Sequence, residues 1–339
     1  MDVSVVVSAR NEGKTIRRCI TSVLEQSHPV EQVIVVDDGS TDDTIDVLSC
    51  FDDDPRVVVI VLPQNLGVPG ARNIGVQQAA SEIIAFLDAD AYATAGWLGE
   101  LVSPFDDPGV VCTGGPDLAP ENDKPFALAV DYSLRSLIGS GRLRRDNAFA
   151  PYAPAGCNMA VRRSDFAALG GFDEHLNQRG EEKEFLQRLR RGGGRVVFCE
   201  QALIWHHRRV SVRQFWRQNL YSGKARTDIL RRAPDAFAWP HMGPAAIVLA
   251  LLTGLLGSVL GHGTLMLWIP ALYFGVLLVD AGLAWAKTRS PAIALRVPLT
   301  SAMVHIGYGL GLFWGASRFM LGKPVGSGAK DRQSPRTSS

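Results

Sequence analysis

Two aspartates one residue apart, Asp88 and Asp90, form the strongest candidate metal site in this 339-residue chain. They follow Ile83–Leu87, an uninterrupted apolar run that is typical of a buried strand. Mg²⁺ and Mn²⁺ prefer oxygen ligands and commonly bridge carboxylates to the phosphate groups of a substrate. A D-x-D pair alone is a weak signal, so its position directly after a strand is what favours a site for a divalent cation and a diphosphate.

Other polar residues follow predicted strands in the same way. Asn11 and Glu12 come just after the first predicted strand, and Asp37 and Asp38 come at the end of the second. Strand and helix patterns alternate here, and the strands are unbroken apolar runs, which indicates a parallel sheet covered on both faces. Ligands bind beyond the carboxyl ends of the strands in such sheets. The sequence therefore predicts one ligand site at this edge, built from three carboxylate-bearing loops.

Several segments then point to a family. In chain order they are Ser8-Ala9-Arg10-Asn11-Glu12, Asp37-Asp38-Gly39-Ser40-Thr41-Asp42, Asn65-Leu66-Gly67, Ala71-Arg72-Asn73-Ile74-Gly75, Phe86-Leu87-Asp88-Ala89-Asp90 and Gly170-Gly171-Phe172-Asp173. Together they closely resemble the family-2 glycosyltransferases of the GT-A fold over about residues 1–232. The resemblance implies an α/β fold, in which a Rossmann-like GT-A catalytic domain has a mainly parallel sheet. It also implies an inverting transferase that takes its sugar from a nucleotide-sugar donor.

The resemblance implies which residues bind the donor, a UDP- or GDP-sugar. Asp38 would hydrogen-bond the base or ribose, and Arg72 would offer its guanidinium to phosphate. The alternative for Arg72 is an arginine on a helix surface. The donor-binding residues implied in this way are Ala9, Asn11, Glu12, Asp38, Gly67, Arg72 and Asp88.

The resemblance also implies a metal site. Asp90 would be the principal ligand of Mg²⁺ or Mn²⁺, and Asp88 would contact the ribose or the metal. A histidine would complete the site, because imidazole binds Mn²⁺. His206 is favoured over its neighbour His207. The alternative is a structural histidine or one that contacts lipid headgroups. The metal would neutralise the charge on the departing nucleoside diphosphate.

Inverting transfer needs a base that takes the proton of the acceptor hydroxyl. Glu182 stands where the family has an aspartate, and Glu181 is the second candidate. Adjacent carboxylates can raise one another's pKa, which suits a base. A charged helix face is the alternative explanation for this pair.

Acceptor binding is assigned to two segments. The first surrounds Gly156 and Asn158. The second contains Gln214 and Arg217 and is similar to the Q-x-x-R-W motif of processive polysaccharide synthases, although Gln218 stands where the tryptophan would be. That difference, with too few spans for a channel, argues against a processive enzyme.

The second half of the chain has a different composition. Residues 1–233 hold 27 Lys and Arg against 31 Asp and Glu, a net charge of −4, whereas residues 234–339 hold 8 against 3, a net charge of +5. Asp280 is the one charged residue between Met242 and Lys287, and this stretch is long enough for two spans of ~20 residues. A further apolar run follows, and a buried core hairpin is the alternative.

These patterns divide the chain into four predicted parts. They are a cytoplasmic GT-A domain (1–207), a basic amphipathic juxtamembrane region (208–240), a helical membrane domain (241–322) and a basic, disordered tail (323–339). Two to three transmembrane helices are expected, at about 243–261, 264–286 and 297–318. The positive-inside rule places the basic loop 287–296 in the cytoplasm. A third span after this loop would export the C-terminal tail, which is also basic and should stay inside by the same rule. The number of spans therefore stays open.

The sequence thus predicts a multi-pass enzyme of the inner or plasma membrane that glycosylates a lipid-linked or glycan acceptor. An overall charge of +1 gives no reason to expect nucleic acid as a partner. Two alternatives remain, a processive synthase and an inactive membrane subunit with the same fold. Five widely spaced cysteines without a C-x-x-C motif favour free thiols in a reducing compartment.

Overall fold

The computed structural model describes residues 1–140, 153–176, 180–232, 234, 239–260 and 264–322. Its strands are β1 (Val3–Ala9), β2 (Gln32–Asp37), β3 (Val57–Val61), β4 (Ile83–Asp88), β5 (Ala91–Ala93), β6 (Val110–Gly114), β7 (Asp117–Leu118), β8 (Asn158–Arg162), β9 (Arg195–Phe198) and β10 (Ile204–His206). The predicted basic tail, 323–339, lies outside the described residues.

The helices cover both faces of the sheet and form the described part of the C-terminal region. They are α1 (Ile16–Leu24), α2 (Thr44–Leu48), α3 (Val68–Gln78), α4 (Trp97–Val102), α5 (Pro125–Arg135), α6 (Leu137–Ser140), α7 (Arg163–Ala168), α8 (Glu181–Arg191), α9 (Val212–Arg232), α10 (Gly243–Val259), α11 (Trp268–Thr288), α12 (Pro291–Ala294) and α13 (Val297–Met320).

The central sheet has seven strands in the order β3-β2-β1-β4-β8-β6-β9. The first four are parallel to one another, as their unbroken apolar runs predict. β8 runs antiparallel to both of its neighbours, while β6 and β9 are parallel. The predicted α/β architecture with a mainly parallel sheet is therefore confirmed, with one reversed strand that the sequence pattern did not reveal.

The sheet is buried on both faces because successive side chains of a strand point in opposite directions. Val5 and Val7 of β1 pack in the core beneath α1, whereas Val6 packs in the core beneath α3. α1 contributes an apolar face at the helical spacing i, i+3, i+4, i+7, made of Ile16, Cys19, Ile20 and Val23. Two cores thus hold the strand ends of the predicted site in fixed positions.

Two helical segments are long and apolar enough to cross a membrane, judged by length and composition among the described residues. They are Trp239–Val259, which contains α10, and Trp268–Thr288, which is α11. Both present large apolar side chains outward, among them Leu252, Leu256, Leu272 and Val279. These segments coincide with the first two of the three predicted spans.

The third predicted span, about 297–318, corresponds to α13, which is a different kind of helix. It packs against α5, α9, α10 and α11, and it buries polar residues such as Thr300 and Ser301. Asp280 of α11 faces inward onto it and accepts a hydrogen bond from the Ser301 hydroxyl at 2.7 Å. α13 therefore joins the apolar helices to the sheet domain.

The predicted basic juxtamembrane helix, α9, lies along α13. Lys224 and Arg226 are buried: the Lys224 ammonium is 3.2 Å from Asp228, and Arg226 donates a hydrogen bond to the Tyr308 hydroxyl at 3.2 Å. Part of the basic character of α9 therefore serves internal packing, although the sequence predicts a basic amphipathic juxtamembrane region here.

α9 and α13 are parallel and very close. Gly307 lies against Asn219, Gly311 against the Leu220 carbonyl and Gly315 against Thr227, so both helices advance in the same direction. A Cβ atom at position 311 would lie 2.1 Å from the Leu220 carbonyl oxygen. Small residues four apart allow this approach, as at many helix contacts in membrane proteins.

The five cysteines are free thiols, as expected. Four of them are buried, and Cys50 is exposed.

Candidate active site

The small second sheet brings the D-x-D turn and a histidine together. β4 ends at Asp88, and β5 begins three residues later, at Ala91. β10 pairs antiparallel with β5 so that His206 lies opposite Ala91. His206 Nε2 consequently lies 3.2 Å from Asp90 Oδ1. Residues from two distant parts of the chain thereby converge at the carboxyl edge of the parallel strands.

Asp88, Asp90 and His206 form a donor set that fits a divalent cation. Each offers one ligand atom, and the three atoms lie within 4.8 Å of one another. Two carboxylate oxygens and one imidazole nitrogen suit Mn²⁺ and also Mg²⁺, which is the more selective of the two for oxygen. Burial alone would raise the pKa of Asp90, but His206 and Arg209 outweigh it and lower that pKa, which favours the ionised ligand.

His207 has different surroundings. Its Nδ1 lies 2.9 Å from Asp123 Oδ1, and it is outside the group of atoms that could share a cation with Asp88 and Asp90. The geometry favours His206 over His207, in agreement with the preference drawn from the sequence.

Arg72 is buried between two carboxylates, although the sequence assigned it to the donor phosphate. Its Nη2 donates to Asp88 Oδ1 at 2.7 Å, and its Nη1 donates to Glu181 Oε1 at 3.0 Å. The side chain is only 3% exposed, which excludes the surface arginine considered above. Arg72 therefore connects the metal-binding side of the site to the start of α8.

Gly156 provides the space for this arginine. A Cβ atom at position 156 would lie 2.5 Å from Arg72 Nη1. We assigned Gly156 to acceptor binding, but its immediate effect is to admit the guanidinium between Asp88 and Glu181.

Glu181 and Glu182 begin α8 and have different exposures. Glu181 is buried, whereas Glu182 is partly exposed. Burial and then the neighbouring Glu182 raise the pKa of Glu181 to about 8, while the ion pair with Arg72 opposes that shift. Glu182 is therefore the more accessible of the two carboxylates for an acceptor hydroxyl.

The predicted donor loops lie at the same edge and are fixed by side chain to backbone hydrogen bonds. Asp38 accepts the backbone N–H groups of Leu66 at 2.6 Å and Gly67 at 2.9 Å. Gly67 has φ +88°, which favours glycine at the turn into α3. Asp38 thus shapes the loop that the resemblance places next to the donor.

The first loop contains the other predicted donor residues. Ala9 is the last residue of β1 and pairs with Asp37 of β2. Asn11 has φ +57°, and its side-chain oxygen accepts the backbone N–H of Thr41 at 2.7 Å. Burial and then the charge of Asp90 raise the pKa of Glu12.

Asn158 does not have the environment of a ligand contact. It is fully buried in β8, its side-chain oxygen accepts the Trp97 indole N–H at 2.8 Å, and its amide donates to the carbonyls of Pro116 and Ala202 at 2.9 and 2.8 Å. These bonds use its polar atoms to join β8 to its surroundings, so we no longer assign it to the acceptor. Gln214 and Arg217 are exposed on the first turns of α9.

Three residues at the site escaped the sequence analysis. Arg209 lies 4.0 Å from Asp90, and Asp117 and Cys157 lie beside His206. Arg209 stands two residues after His207 and could have been noticed as a cation near a predicted metal ligand. Asp117 stands in a two-residue strand, which leaves no periodic signal.

Comparison with known proteins agrees with this geometry. Residues 4–170 match the model of Glycosyl transferase family 2. The pre-mycofactocin glycosyltransferase of Mycobacterium tuberculosis is 28% identical over 266 residues, which are 77% of this chain and 54% of that protein. The glycosyltransferase AglE of Haloferax volcanii is 34% identical over 208 residues, covering 60% of this chain and 66% of AglE. The chain thus spans about half to two thirds of the length of these relatives.

A solved structure shows the same fold. The mannosyltransferase PcManGT of Pyrobaculum calidifontis, in complex with GDP-Man and Mn²⁺, superimposes with a TM-score of 0.65 at 20% identity, covering 92% of this chain and 87% of PcManGT. With the D-x-D turn at the end of β4, residues 4–170 are therefore a glycosyltransferase family 2 domain, in a chain that has the GT-A fold.

Proposed function

We propose that this protein moves a sugar from a nucleotide-sugar donor to an acceptor hydroxyl, with inversion and with a divalent cation at Asp88, Asp90 and His206. The convergence of these three residues at the edge of a family 2 domain carries the proposal. The presence of GDP-Man and Mn²⁺ in PcManGT supports a nucleotide-sugar and a metal as ligands here. The donor would be a UDP- or GDP-sugar.

The residues of the site have separate tasks in this reaction. A bound cation would neutralise the charge that develops on the departing nucleoside diphosphate. Glu182 would take the proton of the acceptor hydroxyl at its carboxylate while the hydroxyl oxygen attacks the anomeric carbon from the opposite side. Arg72 would hold Glu181 and Asp88 at a fixed separation. Glu181 would act as the base only if Glu182 does not.

The class of acceptor is proposed from the positions of the two apolar segments and of α9. The apolar segments 239–259 and 268–288 support a protein anchored in a cell membrane. The GT-A domain would lie on the cytoplasmic side, together with the basic loop 287–296. A lipid-linked or glycan acceptor would then reach the site near Gly156 and the exposed Gln214 and Arg217 of α9. Relatives such as the O-antigen chain rhamnosyltransferase WbaN of Salmonella anatum support an acceptor of this class.

The metal site is tested by Asp90→Ala in protein purified in detergent. We expect Mn²⁺-dependent donor hydrolysis and transfer to fall below detection, because the variant loses an ionised ligand. A panel of labelled UDP- and GDP-sugars with membrane lipid extract would measure both activities. Asp53→Ala, an exposed carboxylate before β3 at the opposite edge of the sheet, is the matched control. Full activity of Asp90→Ala would refute the metal role.

The base is tested by Glu182→Gln. We expect normal donor affinity by calorimetry and a transfer rate lower by about 10²–10⁴-fold, the usual contribution of a general base. Unchanged turnover in Glu182→Gln with loss in Glu181→Gln would assign the base to Glu181. Product length in the same assay distinguishes a single transfer from processive synthesis.

A further inference from the structure

The two ring nitrogens of His206 face different groups. Nε2 faces the metal-binding side, 3.2 Å from Asp90 Oδ1. Nδ1 faces Arg208 Nη1 at 3.4 Å, Cys157 Sγ at 3.6 Å and Asp117 Oδ2 at 3.7 Å, and of these groups only the carboxylate is a strong hydrogen-bond acceptor. A neutral imidazole that binds a cation through one nitrogen carries its proton on the other. The group opposite Nδ1 therefore decides which nitrogen is available to the metal.

We propose that Asp117 is a positioning residue, which accepts the Nδ1–H of His206 and so directs Nε2 toward the cation. The inference rests on the metal site of the proposed function. Carboxylates in this position hold the ring orientation of metal-binding histidines and increase the basicity of the ligand nitrogen. Nδ1 and Asp117 Oδ2 are 3.7 Å apart, so the proposal requires them to approach to about 3.0 Å when the cation is bound.

Asp117 is itself held by buried charges. Arg208 Nη1 donates to Asp117 Oδ2 at 2.8 Å, and Arg208 Nη2 donates to the Asp117 carbonyl at 2.6 Å. The same guanidinium is bonded to Asp131 of α5 at 2.9 Å. Asp117, Asp131 and Arg208 are all nine-tenths or more buried. Arg208 thus holds Asp117 beside His206 through two hydrogen bonds of its own.

A second metal site made of Asp117, Cys157 and His206 is the competing explanation, since their ligand atoms also lie within 4.8 Å of one another. Arg208 argues against it. Its Nη1 lies 2.8 Å from Asp117 Oδ2 and 3.4 Å from His206 Nδ1, so a permanent positive charge stands beside the position that a second cation would need. The arrangement therefore favours a hydrogen-bonding partner over a ligand set.

The first test measures Mn²⁺ affinity in the full chain, by electron paramagnetic resonance of free Mn²⁺ with a nucleoside diphosphate present. We expect Asp117→Asn to weaken Mn²⁺ binding by about 10–100-fold. Asp131→Asn is the matched control, because it removes a carboxylate that pairs with the same arginine but does not face His206. The Mn²⁺ affinity of this variant should stay within about threefold of the wild type. Equal losses in both variants, or no loss in Asp117→Asn, would overturn the proposal.

Two further results separate the possible causes. Cys157→Ala should leave Mn²⁺ affinity unchanged, and a loss as large as that of Asp117→Asn would make the thiol the partner instead. Absence of Mn²⁺ binding by the wild-type protein would contradict the proposed function itself, whereas binding by the wild type with equal binding by Asp117→Asn contradicts this inference alone.

A second measurement uses the wild-type protein and does not depend on how a variant folds. In protein with ¹⁵N-labelled histidine and saturating Mg²⁺, the nitrogen shifts of His206, assigned by its loss in His206→Gln, should show the proton on Nδ1. A proton on Nε2 in the Mg²⁺-loaded protein would overturn the proposal.

Discussion

At the scale of single residues, the site depends on charges that are buried together. Arg72 pairs with Asp88 and Glu181, and Arg208 pairs with Asp117 and Asp131. Breaking one buried pair leaves an uncompensated charge, which typically costs about 3–5 kcal/mol. The active-site carboxylates are therefore held as much by their arginine partners as by the strands and helices that carry them.

The raised pKa of Glu181 predicts a pH-dependent stability. Burial and Glu182 raise this pKa from its ordinary 4.5 to about 8, so protonated Glu181 favours the folded state. That contribution is complete below pH 4.5 and is lost as the pH rises through about 8. Thermal unfolding should show the stability of Glu181→Gln improving relative to the wild type between pH 5 and pH 8.5. A constant difference across that range would contradict the shift.

At the scale of elements, short strands decide the geometry of the site. β5, β7 and β10 have two or three residues each, yet their pairing places His206 next to the D-x-D turn and Asp117 behind it. α9 begins shortly after β10 and runs alongside α13, where glycines of α13 contact α9. The strand that carries the candidate metal ligand is thereby attached to the helical region.

The close approach of α9 and α13 predicts a clear difference between two glycine substitutions. Gly311→Ala should destabilise the protein by about 1–3 kcal/mol, because its Cβ would lie 2.1 Å from the Leu220 carbonyl oxygen. Gly275→Ala in α11 is the matched control, since its Cβ meets open space. Thermal unfolding in detergent would measure both. Equal stability of the two variants would show that the helices do not approach as described.

At the scale of the whole molecule, the GT-A sheet and the C-terminal helices are not independent. α5 leaves the sheet region and packs on α12 and α13, and the Ser133 hydroxyl is hydrogen-bonded to Thr300 at 2.7 Å. α9 also packs along α13. The apolar faces of α5 and α9 are thus covered by residues that follow position 290.

This arrangement predicts the behaviour of truncated proteins. A chain that ends at Arg232 keeps every strand but exposes the faces of α5 and α9 that α13 covers, so we expect aggregation or loss of cooperative unfolding. A chain that ends at Gly322 keeps α13 and should unfold like the full protein. Size-exclusion chromatography and thermal unfolding would compare them. A monomeric, cooperatively folded 1–232 fragment would show that the sheet domain is autonomous.

How much the sequence predicts depends on element length and on burial. β1 to β4 are visible as unbroken apolar runs because both of their faces are covered, and the polar residues that follow them locate the site edge. The D-x-D pair was noticed in this way, whereas His206 was implied by the resemblance to family-2 glycosyltransferases. β5, β7 and β10 are too short to show a periodic pattern in the sequence. The second sheet and the position of Asp117 are therefore visible only in the structure.

Side-chain partners were also beyond the sequence. The sequence shows an arginine at position 72 but does not show whether its guanidinium faces a phosphate or two carboxylates. Only the fold shows that Asp88 and Glu181 surround it. Likewise, the basic composition of α9 suggested a lipid surface, whereas part of its charge is neutralised inside the protein. Long-range pairing, which no local pattern encodes, accounts for both differences.

The space that Gly156 leaves for Arg72 has a consequence for the history of this family. A larger side chain at position 156 would displace the guanidinium and leave Asp88 and Glu181 without their shared partner. Mutations at these positions are therefore not independent events. Among homologous chains, lineages that lose the glycine should also have replaced the arginine or one of its two carboxylates, so that the four positions are inherited as one unit.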